Sequence, residues 1–255
     1  MDYSQIANQI ESLKGVRKIG RVGNSAEQYD LYQIKRGKGK KVLLTGVVHG
    51  DEPAGVYAII DFFQNHIHEF EKDFEFTAFP CVNPWGFQHF TRGNAFNLNL
   101  NREFKQDASA EETQIIMPLL EEYVFTMDLH ETWPESTRIG DDEPKGADPN
   151  EFYLWETCEN TAIRVGSKIV KNIEEIGLPV CKWSRIYGDK NNGGVIWYPE
   201  DCGTDCYATG TSFDSYLAAN HTKQAFTIET PRDWPLKKRI LAHVISIKTV
   251  LQERR

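Results

Sequence analysis

Apolar and polar positions follow two different periods along this chain, and together they predict an α/β protein. Continuous apolar runs at residues 41–48 (KVLLTGVV), 124–130 (VFTMDLH) and 225–229 (AFTIE) are typical of short strands that are covered on both faces. Segments with the helical period lie between them, at residues 53–67, 109–123, 150–176 and 236–251. We therefore predict a three-layer α/β fold, in which a mixed, mostly parallel central sheet has helices on both faces.

Local signals add further elements to this framework. The first fifteen residues have the pattern of an amphipathic helix, and strands are predicted at residues 16–23, 28–36, 74–83 and 194–198. Ser109 and Glu112 have the spacing of a capping box at the start of a helix that Pro118 should bend. Since no repeat or low-complexity linker divides the sequence, we predict one domain over residues 1–255.

Composition excludes several classes of function. The formal net charge of −8 over 255 residues disfavours nucleic acid as a partner. No apolar stretch approaches the ~20 residues that a membrane span needs, so we expect no membrane partner. The first segment lacks the apolar centre of a signal peptide, and five scattered cysteines do not suggest a disulfide framework. These features predict a cytoplasmic protein, and they leave its oligomeric state open.

The stretch LLTGVVHGDEPAG, at residues 43–55, is the first candidate for chemistry. A predicted buried strand ends there and is followed by His49, Asp51 and Glu52, directly before a proline. One interpretation is that the two carboxylates cap the next helix and offset its dipole. The other is that His49 and Glu52 are two ligands of a metal ion, and this stretch alone does not decide between them.

Two further strand ends favour the metal. The run FTMDLHET places His130 at the end of a second covered strand, which completes a His2Glu set with His49 and Glu52. Three protein ligands with a fourth position left for water are the pattern of a catalytic zinc ion. Glu229 ends a third apolar strand, where it could act as the general base, although a structural salt bridge is the alternative. We therefore predict one Zn²⁺ ion beside Glu229.

These motifs, in this order, resemble the zinc metallocarboxypeptidase (carboxypeptidase A-like) superfamily, which includes the aspartoacylase and succinylglutamate desuccinylase branch. HGDE resembles the first ligand pair of the family and DLH its third ligand. Between them, NPWGF at residues 83–87 and RGNAFNLNLNREF at residues 92–104 resemble the Asn-Pro-Asp-Gly segment and the arginine that precedes Asp-x-Asn-Arg. The resemblance extends over residues 42–231 and implies the fold and the zinc chemistry of the family.

The resemblance also implies roles for five other residues. Arg92 would polarise the scissile carbonyl and stabilise the oxyanion, while Asn101 and Arg102 would hold a substrate carboxylate. In the segment YATGTSFD, Tyr207 would close over the substrate, and Phe213 would lie at the position that sets side-chain preference. A guanidinium suits carboxylate binding because it can donate two parallel hydrogen bonds.

The sequence departs from the family at two positions. Asn99 replaces the aspartate that orients a zinc-bound histidine, which bears on metal affinity and rate because such partners tune the ligand. Trp85 replaces the aspartate of Asn-Pro-Asp-Gly. The fold expectation is unaffected by either change.

The resulting functional prediction is an amide hydrolase that acts next to a free carboxylate. We expect a metallocarboxypeptidase that removes the C-terminal residue of small peptides, because the Tyr207 segment fits that branch and the chain is short. An N-acyl amino acid deacylase is the alternative, and a non-catalytic metal- or peptide-binding module is a third possibility. The substrate is thus a small peptide or an N-acyl amino acid.

Overall fold

A computed structural model of the protein describes residues 1–133, 148–201 and 212–255. Within these ranges a central eight-stranded sheet is surrounded by helices. A separate hairpin consists of two strands of two residues each. The strands are β1 (Val16–Gly23), β2 (Gln28–Gly37), β3 (Lys40–Gly46), β4 (Phe74–Phe79), β5 (Phe125–Thr132), β6 (Tyr153–Thr157), β7 (Arg185–Ile186), β8 (Asp189–Lys190), β9 (Val195–Tyr198) and β10 (Ala225–Pro231). The helices are α1 (Tyr3–Glu11), α2 (Ala54–Asp61), α3 (Pro84–His89), α4 (Glu111–Ile116), α5 (Gly166–Glu175), α6 (Phe213–Asn220) and α7 (Leu236–Arg254).

The order of strands in the sheet is β1-β2-β4-β3-β5-β10-β6-β9. Strands β4, β3, β5 and β10 are parallel to their neighbours within this group, whereas β2 and β6 join it in the antiparallel sense. The chain runs from β3 to β4 on one side and later to β5 on the other, so the direction of winding switches at β3. Ligand sites of open α/β sheets form beyond the carboxyl ends of strands at such a switch point.

Two apolar cores cover the two faces of the sheet, because neighbouring strand residues point in opposite directions. Leu44 of β3 belongs to the larger core with α2, α5 and α7, whereas Leu43 belongs to the core on the other face with α4 and α6. The predicted three-layer α/β fold is therefore confirmed. None of the helices in the described ranges is long and apolar enough to cross a lipid bilayer.

Two local predictions are wrong. Residues 150–176 do not form one helix, because Tyr153–Thr157 is strand β6, paired with both β10 and β9, and only Gly166–Glu175 is helical. The expected capping box is absent: Ser109 hydrogen-bonds Glu103, while Glu112 is buried and accepts a hydrogen bond from Asn94. In both places contacts with distant segments override the local signal.

Candidate metal centre and active site

The carboxyl ends of three parallel strands bring the candidate residues together. His49 lies in the turn that follows β3, and His130 lies near the end of β5. Glu229 of β10 is the direct partner of His130 in the register of these two parallel strands. The histidines and Glu229 therefore converge on one edge of the sheet, beside the switch point at β3.

Glu52 is the centre of the cluster. Its Oε1 lies 2.8 Å from His49 Nδ1, and its Oε2 lies 2.8 Å from His130 Nδ1. The backbone N–H of Glu131 donates to Oε2 at 3.0 Å, and Arg92 Nη1 donates to Oε1 at 3.1 Å. A carboxylate that receives this many bonds is held in a fixed orientation, as a metal ligand should be.

The outer nitrogens of both imidazoles are held by acceptors. His49 Nε2 lies 3.1 Å from Asn99 Oδ1, and His130 Nε2 lies 2.8 Å from Asp128 Oδ2. An amide or carboxylate oxygen only accepts, so Asn99 and Asp128 can each hold a protonated Nε2, and Nδ1, which faces Glu52, is the nitrogen that each ring would offer to a metal ion. Asn99 thus keeps the hydrogen bond that the family's aspartate would make, without its charge.

These three residues fit a divalent metal ion. Donor atoms of His49, Glu52 and His130 all lie within 4.8 Å of one another, and each residue is at most 3% exposed. Two neutral imidazole nitrogens and one carboxylate are the donor set of catalytic zinc sites. Among the described residues, no other group of three or more His, Cys, Asp or Glu side chains could hold a metal ion.

The charges of the cluster strongly shift its protonation. Burial, aided by the Arg92 cation, lowers the pKa of His49 to about 4. Burial also acts on His130, but the Asp128 and Glu52 carboxylates outweigh it and raise the pKa of that imidazole well above its usual value. A bound cation would displace the proton from His130 Nδ1, since metal ligands must be deprotonated.

Glu52 does not cap the helix that follows it, which answers the question left open by the sequence. The first N–H of α2, that of Ala54, donates to Glu131 Oε2 at 2.6 Å. Glu131 lies on the opposite face of β5 from His130, and its other oxygen accepts a hydrogen bond from Arg239 of α7. One strand residue thus holds two helices behind the cluster, while its neighbour contributes to the site.

Two turns interlock to position Arg92. A Cβ atom on Gly50 would lie 2.0 Å from the carbonyl carbon of Gly86, so the turn after His49 and the NPWGF turn can touch only through glycine. Asn83 of the second turn accepts a hydrogen bond from the Gly86 N–H and donates to the Arg92 carbonyl. The NPWGF segment therefore serves as a support for Arg92, and Trp85 at its centre does not disturb these bonds.

Asn101 and Arg102 follow Asn99 in a short 3₁₀ turn beside His49. The Asn101 N–H donates to Asn99 Oδ1, and Asn101 Oδ1 accepts a hydrogen bond from the Phe213 N–H at 2.7 Å. The exposed Arg102 donates from Nη1 to the Asn101 carbonyl. The structure thus places both predicted carboxylate-binding residues next to the cluster.

Phe213 does not present a surface to a substrate. Its ring is fully buried and stacks on Phe104, with ring centroids 3.6 Å apart. The predicted side-chain contact of Phe213 therefore has no support, and the residue contributes its backbone N–H to Asn101 instead. Tyr207 lies outside the described residues.

Glu229 is partly exposed, and its carboxyl group lies in strongly charged surroundings. Loss of hydration, with the Glu52 carboxylate adding to it, raises the pKa of Glu229 to about 8, although His130 opposes this shift. Thr132 Oγ1 donates to Glu229 Oε2 at 3.0 Å, and the Tyr153 hydroxyl lies 2.7 Å from the same Thr132 oxygen. A carboxyl group with a pKa near neutrality can both accept and release a proton.

Two functional side chains escaped the sequence analysis, although their signal was present. Asp128 and Thr132 are two residues before and after His130, and the side chains of alternate strand residues share one face. Asp128 orients His130 and is itself held by Thr45 Oγ1 at 2.6 Å, while Thr132 orients Glu229. Asp128, His130 and Thr132, three alternate residues at the end of β5, thus belong to one cluster.

Comparison with known families finds one match. Residues 38–139 match the family model of the succinylglutamate desuccinylase/aspartoacylase catalytic domain. The match contains His49, Glu52 and His130 together with the Arg92 and Asn101–Arg102 segments. No curated protein sequence matches the chain.

Solved structures match nearly the whole chain. A protein from Shewanella amazonensis SB2B, provisionally named a metallopeptidase, matches with a TM-score of 0.76 and 22% identity. The match covers 98% of this chain and 91% of that protein. A metallo-carboxypeptidase from Burkholderia cenocepacia has a TM-score of 0.65 and 14% identity, over 99% of this chain and 68% of its own. Carboxypeptidase A from Helicoverpa armigera has a TM-score of 0.65 and 13% identity, over 98% and 71%. The resemblance to the zinc carboxypeptidase-like superfamily, with its desuccinylase and aspartoacylase branch, is confirmed.

Proposed function

From the zinc-carboxypeptidase fold and its buried His–Glu–His cluster, we propose that the protein is a zinc-dependent hydrolase of amide bonds next to a free carboxylate. Its principal reaction would be the removal of a C-terminal residue from small peptides. The observation that carries the proposal is the pairing of Glu229 with His130, which puts a candidate base directly beside the three candidate ligands. Fold alone would not suffice, since one fold supports many functions.

His49, Glu52 and His130 would hold the metal, each in the orientation fixed by its hydrogen-bond partner. A zinc ion held there would supply Lewis acidity, which can polarise a carbonyl group and lower the pKa of a water molecule. Asp128 and Asn99 keep the Nδ1 atoms of the two histidines available for coordination. These orienting bonds are the contribution of the protein to the metal chemistry.

Glu229 would transfer the proton in both halves of the reaction. Its carboxylate accepts a proton from the attacking water and then delivers that proton to the leaving nitrogen, so the same group serves as base and acid. Thr132 fixes Oε2 of this carboxylate. Arg92, which lies beside Glu52, would donate to the oxygen that becomes negatively charged.

Substrate orientation would depend on the segment that follows α3. Asn101 and the exposed Arg102 would bind the free carboxylate of the substrate, which selects substrates cleaved at their C-terminal end. Tyr207 is proposed from its sequence motif to close over the bound substrate. An arrangement of this kind would favour cleavage of an amide bond next to a free carboxylate over cleavage of an internal peptide bond.

A hydrolysis screen tests the proposal. Zinc-loaded protein is incubated with N-blocked dipeptides, longer peptides, N-acetyl amino acids and N-succinyl amino acids, and the products are identified by mass spectrometry. We expect loss of C-terminal residues, at a rate that Glu229→Gln lowers by about 10²–10⁴-fold while zinc stoichiometry is retained. Glu122→Gln, at an exposed position, is the matched control and should keep full activity.

The match to the desuccinylase/aspartoacylase domain favours a second candidate, an N-acyl amino acid deacylase. Turnover confined to the acyl amino acids would assign the protein to that reaction. If the protein binds zinc but hydrolyses no compound in the panel, this result would contradict hydrolase activity and favour a binding module. Absence of zinc binding in the wild type and in His130→Ala alike, under saturating zinc, would contradict the site itself.

A further inference from the structure

A cluster of four aromatic side chains lies on the side of β10 that faces away from β5, and two of them, Tyr153 and Tyr187, are close enough to Glu229 to interact with it electrostatically. Two come from β6, one from the β7–β8 hairpin and one from β9, and we refer to them as the aromatic wall: Tyr153, Trp155, Tyr187 and Tyr198. Tyr153 is the direct antiparallel partner of Glu229, and Trp155 follows two residues later on the same face. Glu229 thus has a candidate metal ligand on one flank and the aromatic wall on the other.

Three rings of the wall are packed against one another. Trp155 and Tyr187 are stacked, with centroids 6.2 Å apart and planes 9° apart, and Tyr153 meets both edge-on. Despite these contacts Tyr187 is 45% exposed, whereas Tyr153 is buried. Tyr187 is therefore an exposed aromatic surface on a rigid support, an arrangement suited to binding.

The polar atoms of the wall already have partners, which leaves ring surface for contact with a ligand. Tyr153 hydrogen-bonds Thr132, Tyr187 donates to Asp148 at 2.7 Å, and Trp155 Nε1 donates to Asp189 at 3.2 Å. The Tyr198 hydroxyl also donates to Asp189. A group that lies on this wall consequently meets carbon, and not unsatisfied hydrogen-bond donors.

The carboxyl groups beside the wall are engaged by it. Among the described residues, Asp148 accepts from Tyr187, Asp189 accepts from Trp155, and Glu229 accepts from Thr132, which also contacts Tyr153. The surface that the wall offers to a substrate is therefore the exposed ring of Tyr187. A group with apolar surface suits such a ring.

The hairpin turn fixes the backbone of Tyr187. Ile186 pairs with Asp189, so Tyr187 and Gly188 are the two central residues of the turn, with φ of 51° and 87°. A two-residue hairpin turn of type I′ requires positive φ at both of these positions. A substitution at 187 must therefore be compatible with the left-handed region.

We propose that the aromatic wall is the subsite that receives an uncharged aromatic or large aliphatic side chain of the substrate, and that Tyr187 is its specificity-determining residue. The proposal rests on the proposed hydrolase function, because the wall is defined by its place beside Glu229. It identifies the preferred substrates as peptides with an apolar side chain at one of the two residues joined by the scissile bond. It also replaces Phe213, whose ring is buried, as the source of side-chain preference.

Substitution of Tyr187 tests this subsite through substrate preference. Two series of N-blocked dipeptides are compared, with Ala, Leu, Phe or Asp placed either before or after the scissile bond. The wall should receive the side chain on one side of the scissile bond, so only one of the two series should respond. In that series Tyr187→Asn should lower the Phe-to-Ala ratio of kcat/KM about five- to tenfold, the effect expected for loss of one aromatic contact. Asparagine is chosen because it tolerates the positive φ.

Two variants separate the ring from other effects. Tyr187→Phe keeps the ring and should keep the preference, whereas Trp183→Ala removes an exposed aromatic ring outside the wall and should leave the ratio unchanged. An unchanged Phe-to-Ala ratio in both series for Tyr187→Asn would overturn the proposal. A thermal melt of each variant confirms that the comparison is made between folded proteins.

A binding measurement distinguishes failure of the subsite from failure of the proposed function. Calorimetry with 3-phenylpropanoate and propanoate needs no turnover, and the phenyl compound should bind the wild type more tightly but lose this advantage in Tyr187→Asn. If the wild type hydrolyses nothing yet shows this difference, the function is wrong and the subsite stands. If it hydrolyses peptides but binds both acids equally, the subsite is wrong and the function stands.

Discussion

The two candidate histidine ligands are oriented by side chains of different charge. His49 hydrogen-bonds the neutral Asn99, whereas His130 hydrogen-bonds the buried carboxylate of Asp128. A carboxylate partner fixes the tautomer of an imidazole and raises its basicity, which strengthens its bond to a metal. In this chain the charged partner belongs to His130. The site therefore keeps one carboxylate that orients a histidine, although position 99 is an asparagine.

Asp128→Asn should therefore weaken metal binding. The amide keeps one of the two acceptor oxygens that His130 and Thr45 use, and it supplies no negative charge, so we expect zinc affinity to fall about 10–100-fold. Competition with a chromophoric chelator measures this affinity. Asn99→Asp is the matched reciprocal change and should bind zinc at least as tightly as the wild type; equal affinity of Asp128→Asn and wild type would show that Asp128 does not act through His130.

The raised pKa of Glu229 predicts that the difference in stability between wild type and Glu229→Gln depends on pH. Its pKa is about 8 in the folded protein and near 4.5 in the unfolded chain, so its favourable protonated state is fully present below pH 4.5 and is lost as pH rises through 8. Glu229→Gln stays neutral throughout. Relative to wild type, this variant should gain stability between about pH 5 and 8, by at most about 1.4 kcal/mol per pH unit.

Urea unfolding at pH 5, 6.5 and 8, in the presence of a chelator, measures this difference. A difference that stays constant over the range would show that the Glu229 carboxyl titrates as it does in water. The exposed Glu122→Gln gives the expected pH-independent baseline.

At the level of single residues, strand ends were the informative part of the sequence. His49, Glu52, His130 and Glu229 could be singled out because each follows or ends a covered strand, where a polar group is costly without a partner. Tyr153 and Tyr187 could not be found in this way. They approach Glu229 only through the pairing of β6 with β10 and through a hairpin with no periodic pattern.

The element behind the site is the end of β5, which a buried ion pair joins to α7. Glu131 is 2% exposed and Arg239 is 5% exposed, and Glu131 also caps α2 through Ala54. Breaking a buried pair leaves an uncompensated charge in the interior. Arg239→Met should therefore lower the free energy of unfolding by about 3–5 kcal/mol.

Chemical denaturation of Arg239→Met tests this assignment against a control on the same helix. Lys248 forms a more exposed pair with Glu69, and Lys248→Met should change stability by about 0–1 kcal/mol. A similar small change for both variants would mean that Arg239 is not needed to compensate Glu131.

Most strands were predictable from sequence because their apolar runs are short and are bounded by turn residues. β1 has the predicted bounds, Val16–Gly23, and β5 and β10 extend the predicted runs by a few residues. The error at residues 150–176 shows the limit of this reasoning. Tyr153 and Trp155 alternate with Leu154 as in a strand, but the helical segment that follows concealed this short pattern.

At the scale of the whole molecule, the site depends on strands that are far apart in sequence. β3, β5 and β10 are neighbours in the sheet, yet almost 180 residues separate His49 from Glu229. The sequence indicated covered strands, but it did not specify which strands would be adjacent. That order follows from the way the helices cover the two faces, which is a property of the complete fold.

A metal ion at this place would add a further link between two parts of the chain, which the sheet and the hydrogen bonds of Glu52 and Glu131 already hold together. His49 and Glu52 lie in the connection after β3, whereas His130 lies in β5, so binding should stabilise the folded protein but not the unfolded chain. At a free zinc concentration about 1,000 times Kd, the expected gain is about 4 kcal/mol. For a chain of this size that corresponds to a rise in Tm of roughly 8–16 °C.

Differential scanning calorimetry with zinc and with a chelator measures this rise, and two variants locate its origin. His130→Ala removes one of the three ligands and should lose most of the zinc-dependent increase. Glu229→Gln keeps all three ligands and should retain it. An equal increase in wild type and His130→Ala would place the stabilising zinc elsewhere on the molecule, whereas loss of the increase in Glu229→Gln would make Glu229 a ligand and leave the site without its proposed base.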